Sequence, residues 1–121
     1  MKQTPLLITI LLFLSVLLQA QSGSTRKGDA YMQRGLFEKA IDCYKQALLT
    51  DSNDVVSKEK LALAYRISGQ YSSAEFQYKQ LVNMPASGPQ NKLNLAQVFC
   101  ITGKYDSAAL MYSAYADAQP E

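Results

Sequence analysis

The chain has 121 residues, with 12 Lys and Arg against 10 Asp and Glu and a net charge of +2. That length holds one domain or a short repeat array, and the charges are interspersed without a block, so neither nucleic acid nor an anionic membrane surface is indicated as a partner. There is no His or Trp, and the two cysteines, Cys43 and Cys100, are far apart. Imidazole base chemistry, zinc-ligand spacing and a Cys-x-x-Cys pair are therefore excluded, and no catalytic, cofactor or metal set is expected.

The first element is apolar. Lys2 and the amino terminus are followed by an uncharged run from Leu6 to Leu18. Thirteen helical residues rise about 20 Å, short of the ~30 Å hydrocarbon core and suited to the h-region of a secretion signal. Ala20 offers a small residue at a cleavage edge, although Leu18 stands where a small residue is preferred. Residues 1–20 are read as a signal peptide and the mature chain as starting at or near Gln21, which gives an exported protein. An uncleaved membrane anchor is the competing reading.

The rest repeats at an offset of 34 residues. Gly28, Ala62 and Ala96 align, as do Tyr31, Tyr65 and Phe99, and then Gly35, Gly69 and Gly103. Phe37, Tyr71 and Tyr105 follow, then Ala40, Ala74 and Ala108, then Tyr44, Tyr78 and Tyr112. Spacings of three and four put each apolar stripe on one helix face, and the glycine column splits each copy into two helices. Glu38, Ser72 and Asp106 are expected to open the second helices, where an acceptor or negative charge suits the helix start. Asn53–Asp54 and Ser87-Gly88-Pro89 are expected to start the next first helices, with Pro89 in the first turn. The repeats are placed at 21–54, 55–88 and 89–121. The small columns let helices approach, and one hairpin cannot bury its stripe alone, so the copies must stack.

These columns resemble the tetratricopeptide repeat family, in Leu61-Ala62-x-x-Tyr65 with Ala74-x-x-x-Tyr78, in Leu95-Ala96-x-x-Phe99 with Ala108-x-x-x-Tyr112 and Pro120, and in Gly28-x-x-Tyr31 with Ala40-x-x-x-Tyr44. The resemblance covers roughly 21–121 and implies an all-α, right-handed superhelical array of three helix–turn–helix repeats, with a concave face lined by first helices. Family members bind protein or peptide partners along that face. The matching positions are Thr25, Asp29, Met32 and Gln33 in repeat one. They are Val56, Glu59, Leu63, Arg66 and Ile67 in repeat two, and Gln90, Leu93, Gln97, Cys100 and Ile101 in repeat three. Some relatives clamp a C-terminal carboxylate with Lys and Asn. Here Thr25, Asp29, Lys60, Gln90 and Asn94 occupy those positions, so that clamp is missing. A face that is merely solvated is the plainer alternative.

Other groups have structural readings. Seven of the eight tyrosines fall in repeat columns and are read as packing, with Tyr115 the exception. Cys43 and Cys100, separated by a whole repeat, are read as free thiols. Asp42, Asp51, Asp54 and Glu59 have no accompanying nucleophile or base and are read as solubilising a turn. Lys79 is read as solvated surface. Tyr112 and Tyr115 lie on a last helix with nothing following in the chain, so self-association there, or fraying of that helix, is expected.

The stretch from Leu61 to Tyr78 and Lys92-Leu93-x-Leu95-Ala96-Gln97 also resemble the N-terminal repeats of Bacteroidetes cell-envelope proteins, which precede a propeller-like region and an OmpA-like peptidoglycan-binding domain. The resulting expectation is an exported interaction scaffold of the periplasm or outer-membrane-associated envelope, without enzyme activity or a small-molecule substrate. Two alternatives stay open: a free-standing periplasmic adaptor, and the sensory N-terminal part of an enzyme whose catalytic domain is absent from this chain.

Overall fold

The structure, a computed structural model, describes residues 4–120. Lys2 of the n-region and Glu121 lie outside the described residues, as do the side chains of Thr4 and of 15–22, where Leu18, Ala20 and Gln21 of the expected cleavage edge fall. Six helices follow in order: α1 Thr4–Gln33, α2 Phe37–Thr50, α3 Val55–Ile67, α4 Tyr71–Val82, α5 Gln90–Ile101 and α6 Tyr105–Asp117. Each packs on its chain neighbours, so the hairpins α1/α2, α3/α4 and α5/α6 stack as an array. Among the described residues there is no strand, and no helix is long and apolar enough to cross a membrane.

The turn inside each hairpin is the same device three times. Gly35, Gly69 and Gly103 take φ of 71°, 81° and 78°, a region open to glycine at little cost. The next residue's N–H then reaches back across the helix end: Leu36 to the Tyr31 carbonyl at 2.9 Å, and Gln70 to Tyr65 and Lys104 to Phe99 at 2.8 Å. This closes the first helix with a six-to-one bond. The same residues also start the second helix, since their carbonyls accept from Ala40, Ala74 and Ala108.

That double duty corrects the expected second-helix starts. The caps are Leu36, Gln70 and Lys104, none with a side-chain cap hydrogen bond. Glu38 and Asp106 lie in the first turn and act through charge on the helix dipole. The first helices start more conventionally. Asp54 caps α3, its carboxylate accepting from the Ser57 amide at 3.2 Å and the Ser57 hydroxyl at 2.6 Å. Pro89 is itself the cap of α5, one step earlier than its spacing suggested.

Two apolar clusters fill the junctions. Ala40, Ile41, Tyr44, Leu61 and Ala64 join repeats one and two. Ala62, Ala74, Tyr78, Leu81, Leu95, Val98, Phe99 and Ala108 join two and three. The tyrosine reading holds for Tyr44 and Tyr78, each 1% exposed, but not throughout: Tyr105 is 70% and Tyr112 39% exposed, because among the described residues no element covers the outer side of α6. Lys79 is not simply solvated. It pairs with buried Glu75 at 2.6 Å, Lys104 pairs with the other Glu75 oxygen at 2.7 Å, and both ammonium groups lie over the Phe99 ring.

α1 runs unbroken through the expected signal and into repeat one. Beyond Pro5, which fits a first turn, it contains no proline to interrupt it. Residues 5–14 are exposed throughout, whereas Thr25, Gly28, Asp29, Tyr31 and Met32 make the contacts to the rest of the fold.

Candidate functional site

The first helices face one another across the repeats, and a row of side-chain bonds links each to the next. Thr25 and Ser57 hydroxyls are 3.0 Å apart, Lys60 Nζ pairs with Asp29, Asn91 Nδ2 donates to Glu59 Oε1 at 2.7 Å, and Arg66 Nη1 donates to Gln97 Oε1 at 2.7 Å. The partners are 31 or 32 residues apart, three or two short of the repeat length, because each residue meets a column slightly earlier on the next helix.

Asp29 is the most constrained of these groups. Besides Lys60 it accepts from the Tyr44 hydroxyl at 2.7 Å. Burial alone would raise its carboxyl pKa, but the Lys60 and Tyr44 hydrogen bonds outweigh that and hold it below the usual range. The Tyr44 hydroxyl is pushed up by burial and by its bond to Asp29, and stays a neutral donor. Fifteen residues separate Tyr44 from Asp29; at the same offset Tyr78 meets the position of Leu63 and Tyr112 that of Gln97. Leu63 cannot accept a hydrogen bond, and no protein group among the described residues accepts from the Tyr78 hydroxyl. Tyr112 O–H lies 3.8 Å from Cys100 Sγ.

Two cavities open on this face. One, ≈ 290 Å³, is lined by Glu59, Lys60, Leu63, Tyr78, Gln90, Asn91 and Asn94. The other, ≈ 490 Å³, is lined by Arg66, Ile67, Tyr71, Gln97, Cys100, Ile101 and Tyr112. Of the positions expected from sequence, Glu59, Leu63 and Gln90 go to the first, and Arg66, Ile67, Gln97, Cys100 and Ile101 to the second. Asp29, Met32, Gln33 and Leu93 line neither: Asp29 is held by Tyr44 and Lys60, and Met32 packs on the first junction core. Column matching did not pick out Tyr78, Asn91 or Tyr112 as groove residues.

A larger cavity, ≈ 520 Å³, opens on the opposite side between α2 and α4, with Leu48, Leu49, Leu61, Tyr65 and Gln77 in its wall. Gln77 Oε1 is buried without a hydrogen-bond partner among the described residues. The acidic residues flagged from sequence do not converge. Asp42 rims this cavity, Asp51 accepts from the Asn53 amide in a turn, Asp54 caps α3, and Glu59 meets Asn91. Cys43 and Cys100 are free and half-buried.

The profile of the tetratricopeptide repeat family matches residues 24–54. In three dimensions the chain is similar to the first such domain of Spaghetti (RPAP3) bound to the HSP90 peptide SRMEEVD, with a TM-score of 0.76 and 22% identity over 85% of this chain and 82% of that one. The fold is that of a tetratricopeptide repeat array. The second domain of Spaghetti, bound to the same peptide, gives 0.74 and 19% over 82% of this chain and 92% of that one. The tetratricopeptide domain of Sgt2 from Aspergillus fumigatus gives 0.74 and 24% over 82% of this chain and 66% of that one. No curated protein matches the chain significantly. In this tetratricopeptide array the bonded first-helix face is the side expected to be concave.

Proposed function

We propose that this chain is an exported interaction scaffold that holds a protein or peptide segment along its first-helix face and serves cell-envelope assembly or organisation. The observation that carries the binding role is the groove itself. Half-buried Leu63 and exposed Ile67 and Ile101 lie among polar groups already fixed by the bonds between repeats. Preset donors beside accessible apolar surface suit an extended chain. Two solved domains with this fold hold an HSP90 peptide, which supports a peptide as the kind of ligand. For export, the supporting observation is that exposed residues 5–14 make no contribution to either junction core, so their removal would leave the repeats intact.

Binding is tested by capture from an envelope extract with the wild-type chain and with Arg66→Glu combined with Leu63→Asp. The double variant is expected to lose the partner while its circular dichroism is unchanged. Retention of the same partner would move the site to the α2/α4 side. Export is tested by fractionation and N-terminal mass spectrometry, with a start at or near Gln21 expected in the soluble envelope fraction. Met1 retained in the membrane fraction would count against it.

A further inference from the structure

The cavity under Tyr78 is specific about chemistry. Tyr78 is 1% exposed, yet it lines the cavity and its hydroxyl has no protein partner among the described residues. Tyr44, one repeat earlier, spends the same hydroxyl on Asp29; the Leu63 position leaves that of Tyr78 available. The charges around it are already committed. Lys60 pairs with Asp29, and Glu59 accepts from Asn91, which also donates to Ser87. Arg66, whose charge also reaches the Tyr78 hydroxyl, is bonded to neutral Gln97, so two cations and two carboxylates balance here; an incoming carboxylate would add a net negative charge, meet Glu59 and compete with Asp29 for Lys60. What the cavity still offers is one unpartnered O–H donor at its surface, the carboxamides of Gln90 and Asn94, and the apolar wall of Leu63. Burial raises the Tyr78 hydroxyl pKa, which keeps the donor protonated.

We infer that this cavity is a subsite for a neutral carbonyl of a bound peptide, received by the Tyr78 hydroxyl, and that it selects internal or capped segments over a free C-terminal carboxylate. The inference rests on the first-helix face being the binding face. A volume of ≈ 290 Å³ suits one side chain or peptide unit. The carbonyl can come from the main chain or from an Asn or Gln side chain.

Three probes separate these cases when titrated into the full chain: N-acetyl-trialanine amide, its analogue with a central Asn, and N-acetyl-trialanine with a free carboxylate. The readouts are the Leu63 methyl and Asn94 side-chain amide resonances. Both amide peptides are expected to shift them, and the free acid to bind at least ~3-fold more weakly. Equal affinity of the two amides assigns the main-chain carbonyl, and tighter binding of the Asn peptide assigns the carboxamide. Tyr78→Phe should weaken amide binding ~3- to 10-fold, the size of one net hydrogen bond. Tyr115→Phe, on α6 and in the wall of neither cavity on this face, should leave it unchanged. Equal or tighter binding of the free acid, or full affinity in Tyr78→Phe, would overturn the inference. Shifts at Arg66 and Ile101 without any at Leu63 would overturn it while leaving the groove reading in place; no shift anywhere on this face would remove both.

Discussion

Gly28 is a place where the repeats are not interchangeable. A Cβ added there would lie 2.5 Å from Tyr44 Cε1, 2.9 Å from Cδ1 and 3.0 Å from Cζ. Carbon atoms settle at about 3.5–4.0 Å, so the ring would have to retreat by roughly 1 Å. It is 1% exposed and its hydroxyl sits 2.7 Å from Asp29, so the retreat also carries that bond beyond about 3.2 Å. Overpacking costs about 1–3 kcal/mol and the lost hydrogen bond about 1 kcal/mol, while Ala over Gly in a helix returns about 1 kcal/mol. Gly28→Ala should therefore destabilise by about 1–3 kcal/mol, a fall in Tm of at least ~4 °C. Repeats two and three hold Ala62 and Ala96 in this column, where no Asp draws the tyrosine in. Asp29→Leu should free Tyr44 to sit as Tyr78 does, so Gly28→Ala should be milder in that background, with a coupling of at least ~0.5 kcal/mol. Thermal melts of the four proteins decide. A Gly28→Ala variant melting at or above the parent, or strict additivity, would refute the account.

Ala74 is fully buried at the second junction, so Ala74→Leu should destabilise by about 1–3 kcal/mol, with exposed Ser72→Ala as a near-neutral control in the same melts. Burial alone would raise the Glu75 pKa, but hydrogen bonds from Lys104 and Lys79 leave it lowered in the fold. Its contribution is full above the unfolded value of about 4.3 and is lost as pH falls through the lower folded value. Denaturation at pH 7 and pH 3 should show the parent losing more stability on acidification than Glu75→Gln does. On the outer side of α6, exposed Tyr105, Leu110 and Tyr112 predict concentration-dependent association, read by size exclusion with light scattering and reversed by Leu110→Glu. A strictly monomeric protein with well-protected amides over 106–118 would count against it. Gly69→Ala, at φ 81°, should cost about 1–2 kcal/mol although its Cβ meets nothing, which separates backbone strain from crowding.

Much of this architecture was legible in the sequence because it is periodic. The glycine column announced the positive-φ turns, and the aromatic column three residues after the small one gave the first-helix face. The second-helix starts were not legible, because Leu36, Gln70 and Lys104 are chosen to close the preceding helix and bear no capping side chain. Lys79 looked like surface because its i,i+4 partner Glu75 reads as an exposed acid; that Glu75 is buried and shared with Lys104, 29 residues on, shows only in the fold. In the groove, column alignment named the first-helix positions but could not sort them into two cavities, since the partners sit two or three residues off the repeat. Nor could it distinguish Tyr44 from Tyr78, which share a column and a burial but differ in what stands fifteen residues upstream.

The junctions are fastened along two edges. The row from Thr25–Ser57 to Arg66–Gln97 closes the inner edge, and outside it Gln70 reaches back to Glu38 at 2.7 Å and Lys104 to Glu75 at 2.7 Å. With an apolar layer clamped between, neither edge can open without stretching its bonds, nor close without compressing the layer. The array should therefore bend as a stiff leaf, holding its curvature with or without cargo. On the proposed binding role, a guest would meet a groove of fixed width, and its affinity would reflect how well it fits rather than how far the protein must deform.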